Sequence, residues 1–264
     1  MCGILGTWHN DFPINYRSHF SKALDLLIKR GPDDKDLFME RADGGTVSFG
    51  HRRLSIIDLT SGGHQPMHSF DKRYSIIFNG MIYNYKEIRV ELKNLGIKFI
   101  SNSDTEVLLQ SWIFWKEECL KKLIGMFSFA IYDRKLKNLF CVKDQFGMKP
   151  LFYYYDKKKF IFSSEIYPIL SLLKNKPKLN IQRCYDYLIF GNQDNLVDTF
   201  IDKIKQIGAG NILKFNYKKN SLHIKKWWNP SIQERKDLNF EVSAKQLKEK
   251  FLENVRIHLR SDVP

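Results

Sequence analysis

No apolar run in the 264-residue chain reaches the roughly 18 residues that a membrane-spanning helix requires, so no membrane span is expected. The N-terminus has no basic segment followed by an apolar stretch, so a secretory signal peptide is not expected either. The cytoplasm is the expected compartment, and Cys2 stands beside a mature N-terminus. Cysteine is scarce: Cys2, Cys119, Cys141 and Cys184 are the whole set. Their spacing fits neither a zinc site nor a disulfide framework, so no metal is expected and a reducing compartment agrees. The last three read as small buried hydrophobes. No internal repeat is visible, which excludes solenoid and propeller arrays. Acidic side chains fall short of basic ones, 29 against 43, for a net charge of +14. Such an excess can mean nucleic acid. Here the lysines lie in short turn-like runs, Lys157 to Lys159 and Lys218 to Lys219, without a basic helix or stripe interleaved with aromatics. The charge therefore reads as solvated surface. Nucleic acid is not an expected partner, and an acidic partner or domain is the alternative.

What the chain does have is enough apolar material, 43%, to bury a core in one large domain or two modest ones. Ser18 to Arg30 reads as a helix, with Phe20, Ala23, Leu24 and Leu27 on one face and Gly31-Pro32 as the stop. Thr46 to Gly50 and Tyr74 to Phe78 read as strands, the second ending at the turn dipeptide Asn79-Gly80. Tyr85 to Leu95 fits a helix stopped by Gly96. Ser103-Asp104-Thr105-Glu106 has the form of a capping box, and Val107, Leu108, Trp112 and Trp115 follow at helical spacing. Two hairpins come next, Met126 to Tyr132 with Leu139 to Lys143, and Leu151 to Tyr155 with Phe160 to Ser163. Strands flanked by helices on both sides suggest layered sheets with helices outside. Ile181 to Phe190 reads as a helix ending at Gly191, and Asn211 to Phe215 with Leu222 to Lys226 as a further hairpin. The polar stretch 229–239 reads as a linker. An amphipathic helix over Phe240 to Arg260 follows, and 240–264 reads as the start of a second domain.

Chemistry is first suggested at Met1-Cys2-Gly3-Ile4. With Met1 removed, Cys2 carries a thiol and a free α-amine on one carbon. An α-amine titrates near pH 8, low enough to accept the thiol proton and return it to a leaving amine, as in nucleophiles paired with an N-terminal amine. With Met1 retained, that amine is an amide, the base is lost, and Cys2 is expected to be almost inert.

Several ordered stretches carry a resemblance. They are Met1 to Ile4, Arg30-Gly31-Pro32-Asp33-Asp34, His51 to Asp58, Phe78-Asn79-Gly80, Ile82-Tyr83-Asn84, Ser103 to Glu106, Lys143 to Leu151 and Ser163-Ser164-Glu165. Together they resemble glutamine-hydrolysing asparagine synthetase over residues 1–228. The resemblance implies a class II glutamine amidotransferase domain with the N-terminal-nucleophile hydrolase fold. That fold is α+β, a four-layer αββα sandwich of two antiparallel sheets between helices. It makes Cys2 the nucleophile on the side-chain amide of L-glutamine, giving ammonia and a glutamyl thioester that water resolves. The side-chain amide of Asn79 and the backbone N–H of Gly80 become the oxyanion donors that such a step needs, with glycine letting the backbone approach the substrate. Arg53 is placed on the α-carboxylate, which its planar fork suits, and Asp104 on the α-ammonium. Leu54 and Ile57 line the pocket, and 58–70 resembles a mobile loop over the glutamine site that would exclude water.

Two departures follow from the same comparison. Met81 stands where the family usually has a glutamate that helps to bind the substrate ammonium, so working hydrolysis with a raised KM for glutamine is expected. Lys29 stands where histidine is frequent. The family's second half binds ATP and Mg2+ and activates aspartate as an acyl-adenylate. Its Ser-Gly-Gly-x-Asp-Ser loop is absent here, so 240–264 is expected to be the first helix of a truncated synthetase domain that would be the partner receiving ammonia. ATP and Mg2+ are expected there and no cofactor in the glutaminase part. A homodimer is a further implication. Alternative readings are a glutaminase serving another carboxylate, such as a sugar acid or peptide product, and a catalytically weak regulatory module.

Overall fold

The computed structural model describes residues 1–10, 15–42, 44–191, 197–235 and 237–263. In chain order the elements are β1 (Gly3–His9), α1 (Tyr16–Asp25), β2 (Asp34–Ala42), β3 (Gly45–Arg53), β4 (Met67–His68), β5 (Tyr74–Ile82), α2 (Tyr85–Asn94), α3 (Asp104–Trp115), β6 (Gly125–Asp133) and β7 (Asn138–Lys143). They continue with β8 (Phe152–Tyr155), β9 (Lys159–Ser163), α4 (Ile166–Leu172), α5 (Ile181–Phe190), β10 (Ile204–Gln206), β11 (Asn211–Asn216), β12 (Ser221–Lys226) and α6 (Phe240–His258). The strands form two six-stranded sheets, one ordered β10-β8-β9-β1-β3-β2 and the other β12-β11-β7-β6-β5-β4. Every pairing is antiparallel.

Three apolar layers stack these elements into the αββα sandwich that the sequence led us to expect. Phe20, Leu24 and Leu27 pack with Leu5, Ile161 and Ile169 on the outer face of the first sheet, beneath α1 and α4. Ile4, Trp8, Phe49, Phe160 and Phe162 of the first sheet meet Ile77, Ala130, Tyr132 and Phe215 of the second between the sheets. Ile88, Leu92, Leu108 and Trp112 from α2 and α3 cover Ile76, Phe78, Phe129 and Phe140 on the second sheet's outer face. Trp112 lies edge-on to Phe129 and Phe140 at centroid separations of 6.1 and 5.0 Å. Each such pair contributes about 0.5–1.5 kcal/mol beyond burial.

Several expectations need correction. Asn79-Gly80 is no turn: β5 runs on to Ile82, with Asn79 opposite Ser128 and Gly80 opposite Phe127 on β6, so cross-strand pairing overrides the local turn preference. The first helix stops at Asp25 rather than Arg30. The chain tightens there into i→i+3 bonds, Leu27 N–H to Leu24 O (3.0 Å) and Arg30 N–H to Leu27 O (2.9 Å), a common way for helices to end. Only half of the capping box forms. Ser103 Oγ accepts from Glu106 N–H at 3.2 Å, but the Glu106 carboxylate accepts instead from Ile100 N–H (2.9 Å) and Ser101 N–H (2.7 Å). The segment from Asp58 to Phe70 contains β4, which pairs with β5. Strands β1 and β2 were not expected. β2 is an edge strand bearing Asp34, Lys35, Asp36, Glu40 and Arg41, a composition that suits an edge better than a hydrophobic strand signal. In the linker the described residues 229–235 carry neither helix nor strand; Lys236, and Pro264 at the chain's end, lie outside the described residues. Among the described residues no helix is long and apolar enough to cross a membrane.

Candidate active site

The β1–β3 ladder sets Gly3 opposite Arg52, so Cys2, just before β1, comes level with Arg53 and Leu54 at the end of β3. The Leu54 N–H donates to Cys2 Sγ at 3.4 Å, and the thiol lies 3.6 Å from the Leu54 carbonyl. Arg30 fixes the nucleophile's backbone: its Nε donates to Cys2 O at 3.0 Å, while Nη1 reaches Glu165 at 3.3 Å. Burial pushes the Cys2 thiol up, against a smaller downward pull from the Leu54 backbone. A raised thiol is protonated near neutral pH, so this nucleophile needs a base. Met1 is attached to Cys2 in the structure and lies at the cleft, with its own amine lowered chiefly by burial and to a lesser degree by Arg30 and Lys149.

From the other sheet, β5 brings Asn79 to the same opening. Asn79 is fully buried, and neither Nδ2 nor Oδ1 has a hydrogen-bond partner among the described residues. An orphaned buried amide is costly unless something else uses it. Gly80 has a different reason from the one expected. A Cβ there would meet the Met126 carbonyl of β6 at 2.2 Å and Phe127 Cα at 2.7 Å, so the neighbouring strand, rather than a ligand, demands glycine.

Asp104 is the first residue of α3, buried, and accepts from Ile82 N–H at 3.1 Å. Burial pushes its carboxyl up to about 6, opposed by the Ile82 and Thr105 amides and more weakly by Arg53. Arg53 is buried rather than in a surface ion pair. Its guanidinium donates to three carbonyls of the following loop, Thr60 (2.9 Å), Ile57 (3.2 Å) and Asp58. Of the five N–H groups of an arginine, that leaves two for a ligand. Gly63 lets the loop lie on this guanidinium, since a Cβ would come within 1.8 Å of Nη2. The loop is further fastened by His64, whose Nδ1 and Nε2 meet Asp34 at 2.7 Å and Asp36 at 3.1 Å, and by Asn102 N–H donating to Asp58 Oδ2 at 2.9 Å.

All the residues singled out from the sequence, Cys2, Arg53, Leu54, Ile57, Asn79, Gly80, Met81 and Asp104, line one cleft of about 110 Å³. Gln65, Thr105, Met126 and Lys149 line it too. Lys149 and Arg30 lay inside the motifs quoted from the sequence without a role, and their positions there are the only signal that could have marked them. Lys149 is buried and its ammonium is lowered by burial, with Arg30 a lesser cause. His51 lay in a quoted motif and Gln65 in the loop 58–70, but the contacts of both are shown only by the fold. Gln65 Oε1 accepts from Phe78 N–H at 2.6 Å, and His51 Nε2 lies 3.0 Å from the Phe78 carbonyl. Burial lowers the imidazole to about 4, so it is neutral and Nε2 carries the hydrogen. Among the described residues no group of three or more His, Cys, Asp or Glu side chains could hold a metal ion.

The arrangement is a thiol nucleophile, a free amide donor, a guanidinium and a carboxylate around one small opening between two sheets. The glutamine amidotransferase domain family matches residues 1–228. Over its full length the chain is 36% identical to asparagine synthetase (glutamine-hydrolyzing) 3 of Bacillus subtilis (strain 168), spanning 42% of that protein. It is 33% identical to asparagine synthetase (glutamine-hydrolyzing) 1 of the same organism, spanning 41% of it. A putative asparagine synthetase (glutamine-hydrolyzing) 2 of Methanocaldococcus jannaschii is 30% identical, with 53% of its length spanned. The chain thus covers roughly half of the curated relatives it matches. The glutamine phosphoribosylpyrophosphate amidotransferase of B. subtilis, solved with ADP and GMP, aligns with a TM-score of 0.61 at 17% identity, covering 86% of this chain and 49% of that one. That likeness concerns the fold alone. With the family match running from Met1 through β12, the chain belongs to the glutamine amidotransferase domain family.

Proposed function

We propose that this chain is the glutamine-hydrolysing part of an asparagine synthetase. The observation that carries the reading is Asn79, a buried amide with no partner among the described residues, lining one cleft with the Cys2 thiol. An unsatisfied donor next to a nucleophile is what a developing oxyanion requires. Once Met1 is removed, the Cys2 α-amine takes the thiol proton. The sulfur attacks the amide carbon of glutamine, and the carbonyl oxygen gathers charge toward Asn79 Nδ2 and Gly80 N–H. The C–N bond then breaks as the α-amine returns its proton to the leaving nitrogen, giving ammonia and a thioester. Water cleaves the thioester, releasing glutamate and the thiol. Arg53 and Asp104 hold the α-carboxylate and α-ammonium.

Ammonia would serve a synthetase part using ATP and Mg2+, on which these residues offer no purchase, and aspartate is the acceptor that the relatives' names favour. Met126 borders both the cleft and an apolar cavity of about 850 Å³ beneath α6, a side by which ammonia could leave. All four cysteines are free, in keeping with a cytoplasmic setting. The test is glutamate release by the purified chain beside Cys2→Ala, with intact mass to establish loss of Met1. Hydrolysis abolished by the substitution is expected. A correctly processed chain that releases no glutamate would overturn the reading.

A further inference from the structure

We propose that Gln65 is a positioning residue that sets the oxyanion donors Asn79 and Gly80 by tying the loop over the cleft to β5 and to the start of α3. The inference rests on the glutaminase reading above.

It starts from an unfinished sheet edge. β4 covers β5 only at Ser75 and Ile76. The next backbone groups that face outward from β5 are the N–H and C=O of Phe78, immediately before Asn79. No strand reaches them; two side chains do. Gln65 Oε1 accepts from the Phe78 N–H at 2.6 Å, and the neutral His51 ring donates to the Phe78 carbonyl at 3.0 Å. The two peptide groups of Phe78, the residue before Asn79, are therefore held from outside, the N–H by one residue of the loop and the carbonyl by one of the other sheet.

Gln65 does more than fill an edge. Its Nε2 donates to Thr105 Oγ1 at 3.1 Å, and Thr105 follows Asp104 on α3. Its loop also supplies the carbonyls that hold Arg53. One side-chain amide thus spans the loop, the strand bearing the oxyanion donors and the helix start bearing the ammonium site. Gln65 is 3% exposed, so no bulk water replaces its bonds when they are lost. Removing it leaves the buried Phe78 N–H without an acceptor and loosens the strand one residue before Asn79. Asn79 has no side-chain partner to resist the movement. A displaced donor matters only where charge develops, so the loss falls on the transition state rather than on ground-state binding by Arg53 and Asp104.

Gln65→Met keeps the side chain's length and removes both hydrogen bonds. Thr105→Val removes only the far one. In steady-state glutamine hydrolysis, Gln65→Met should lower kcat about 10- to 100-fold with KM within about twofold. Thr105→Val should lower kcat by a smaller factor, about threefold or more. A parallel readout is alkylation of Cys2 by iodoacetamide, in which the C–S bond forms as iodide leaves and no oxyanion arises. Its rate should be unchanged in both variants. A folded Gln65→Met with wild-type kcat overturns the proposal, as does a loss of kcat matched by an equal loss in alkylation rate. Should Gln65→Met fail to fold, an unchanged kcat in Thr105→Val overturns it. Failure of the processed wild-type chain to hydrolyse glutamine would instead overturn the glutaminase reading, an outcome distinct from active wild type beside unaffected variants.

Discussion

Asp104 combines two environments that pull in opposite directions. It is the first residue of α3, where backbone amides favour its charge, yet it is buried deeply enough that its carboxyl is pushed up to about 6. Above that pH it is a carboxylate and can hold the ammonium of glutamine; below it the group is neutral and the attraction is lost. Glutamine binding to Cys2→Ala, measured by calorimetry, should therefore weaken about tenfold per unit as pH falls below 6. In an added Asp104→Asn background binding should be weak and flat with pH. Affinity that stays constant from about pH 8 to 5 would contradict the role assigned to this carboxylate. Met81 lies two residues beyond Asn79 on β5 and lines the cleft beside Asp104. It adds apolar wall where a second carboxylate would share the ammonium. Met81→Glu should lower the KM for glutamine several-fold with little change in kcat, and equal KM values would sink the idea. These residues were legible in the sequence because their chemical types are scarce and tied to short motifs. The roles of Gln65 and His51 were not, because each acts on the Phe78 backbone, and only the sheet edge left open by β4 gives those contacts a purpose.

The elements were legible to different degrees, for reasons that can be named. α5 and the hairpins β6–β7 and β11–β12 were read nearly to the residue, since each is bounded by strong turn or stop chemistry such as Gly191. β5 was cut short because Asn-Gly is a good turn former in isolation. In the chain its backbone groups are taken by β6, and the pair sits mid-strand where the site needs it. β1 was overlooked although it lies in the middle of a sheet, because Gly3 and Gly6 dilute its apolar run and strand propensity depends on context. The loop between β3 and β5 resembled a mobile flap. In the structure Arg53, Gln65, His64 and Asn102 all fasten it. Its polar sequence gave no hint of this, because the fastening partners come from β2, β3, β5 and the approach to α3.

At the scale of the whole molecule the cleft is an opening between two sheets, and the chain's last described residues reach back to it. α6 is exposed along much of its length, with Phe240, Leu247, Phe251 and Leu252 all uncovered. Its end is held more firmly: the His258 ring lies 3.8 Å from that of Tyr83, and Arg260 donates to Tyr83 O and to Glu87, each at 2.6 Å. Asp262 then clips onto the loop beside the cleft. Its N–H donates to Ile56 O at 3.0 Å, and its carboxylate accepts from Asp58 N–H at 2.7 Å. Asp58 has a left-handed backbone, with φ at 54°, a conformation that non-glycine residues hold only with local support. It is also one of the carbonyls gripping Arg53. Asp262→Ala removes the side-chain half of the clip and leaves the core untouched. An exposed hydrogen bond contributes about 0.5–1.5 kcal/mol net, so the loop should open more often and the KM for glutamine should rise about two- to tenfold. The melting temperature should hardly move, because the three apolar layers carry the stability. An unchanged KM would mean that Arg53, Gln65 and His64 hold the loop without help from the region after α6. A KM rise accompanied by a large fall in melting temperature would mean that the clip supports the sandwich itself rather than the loop over its cleft.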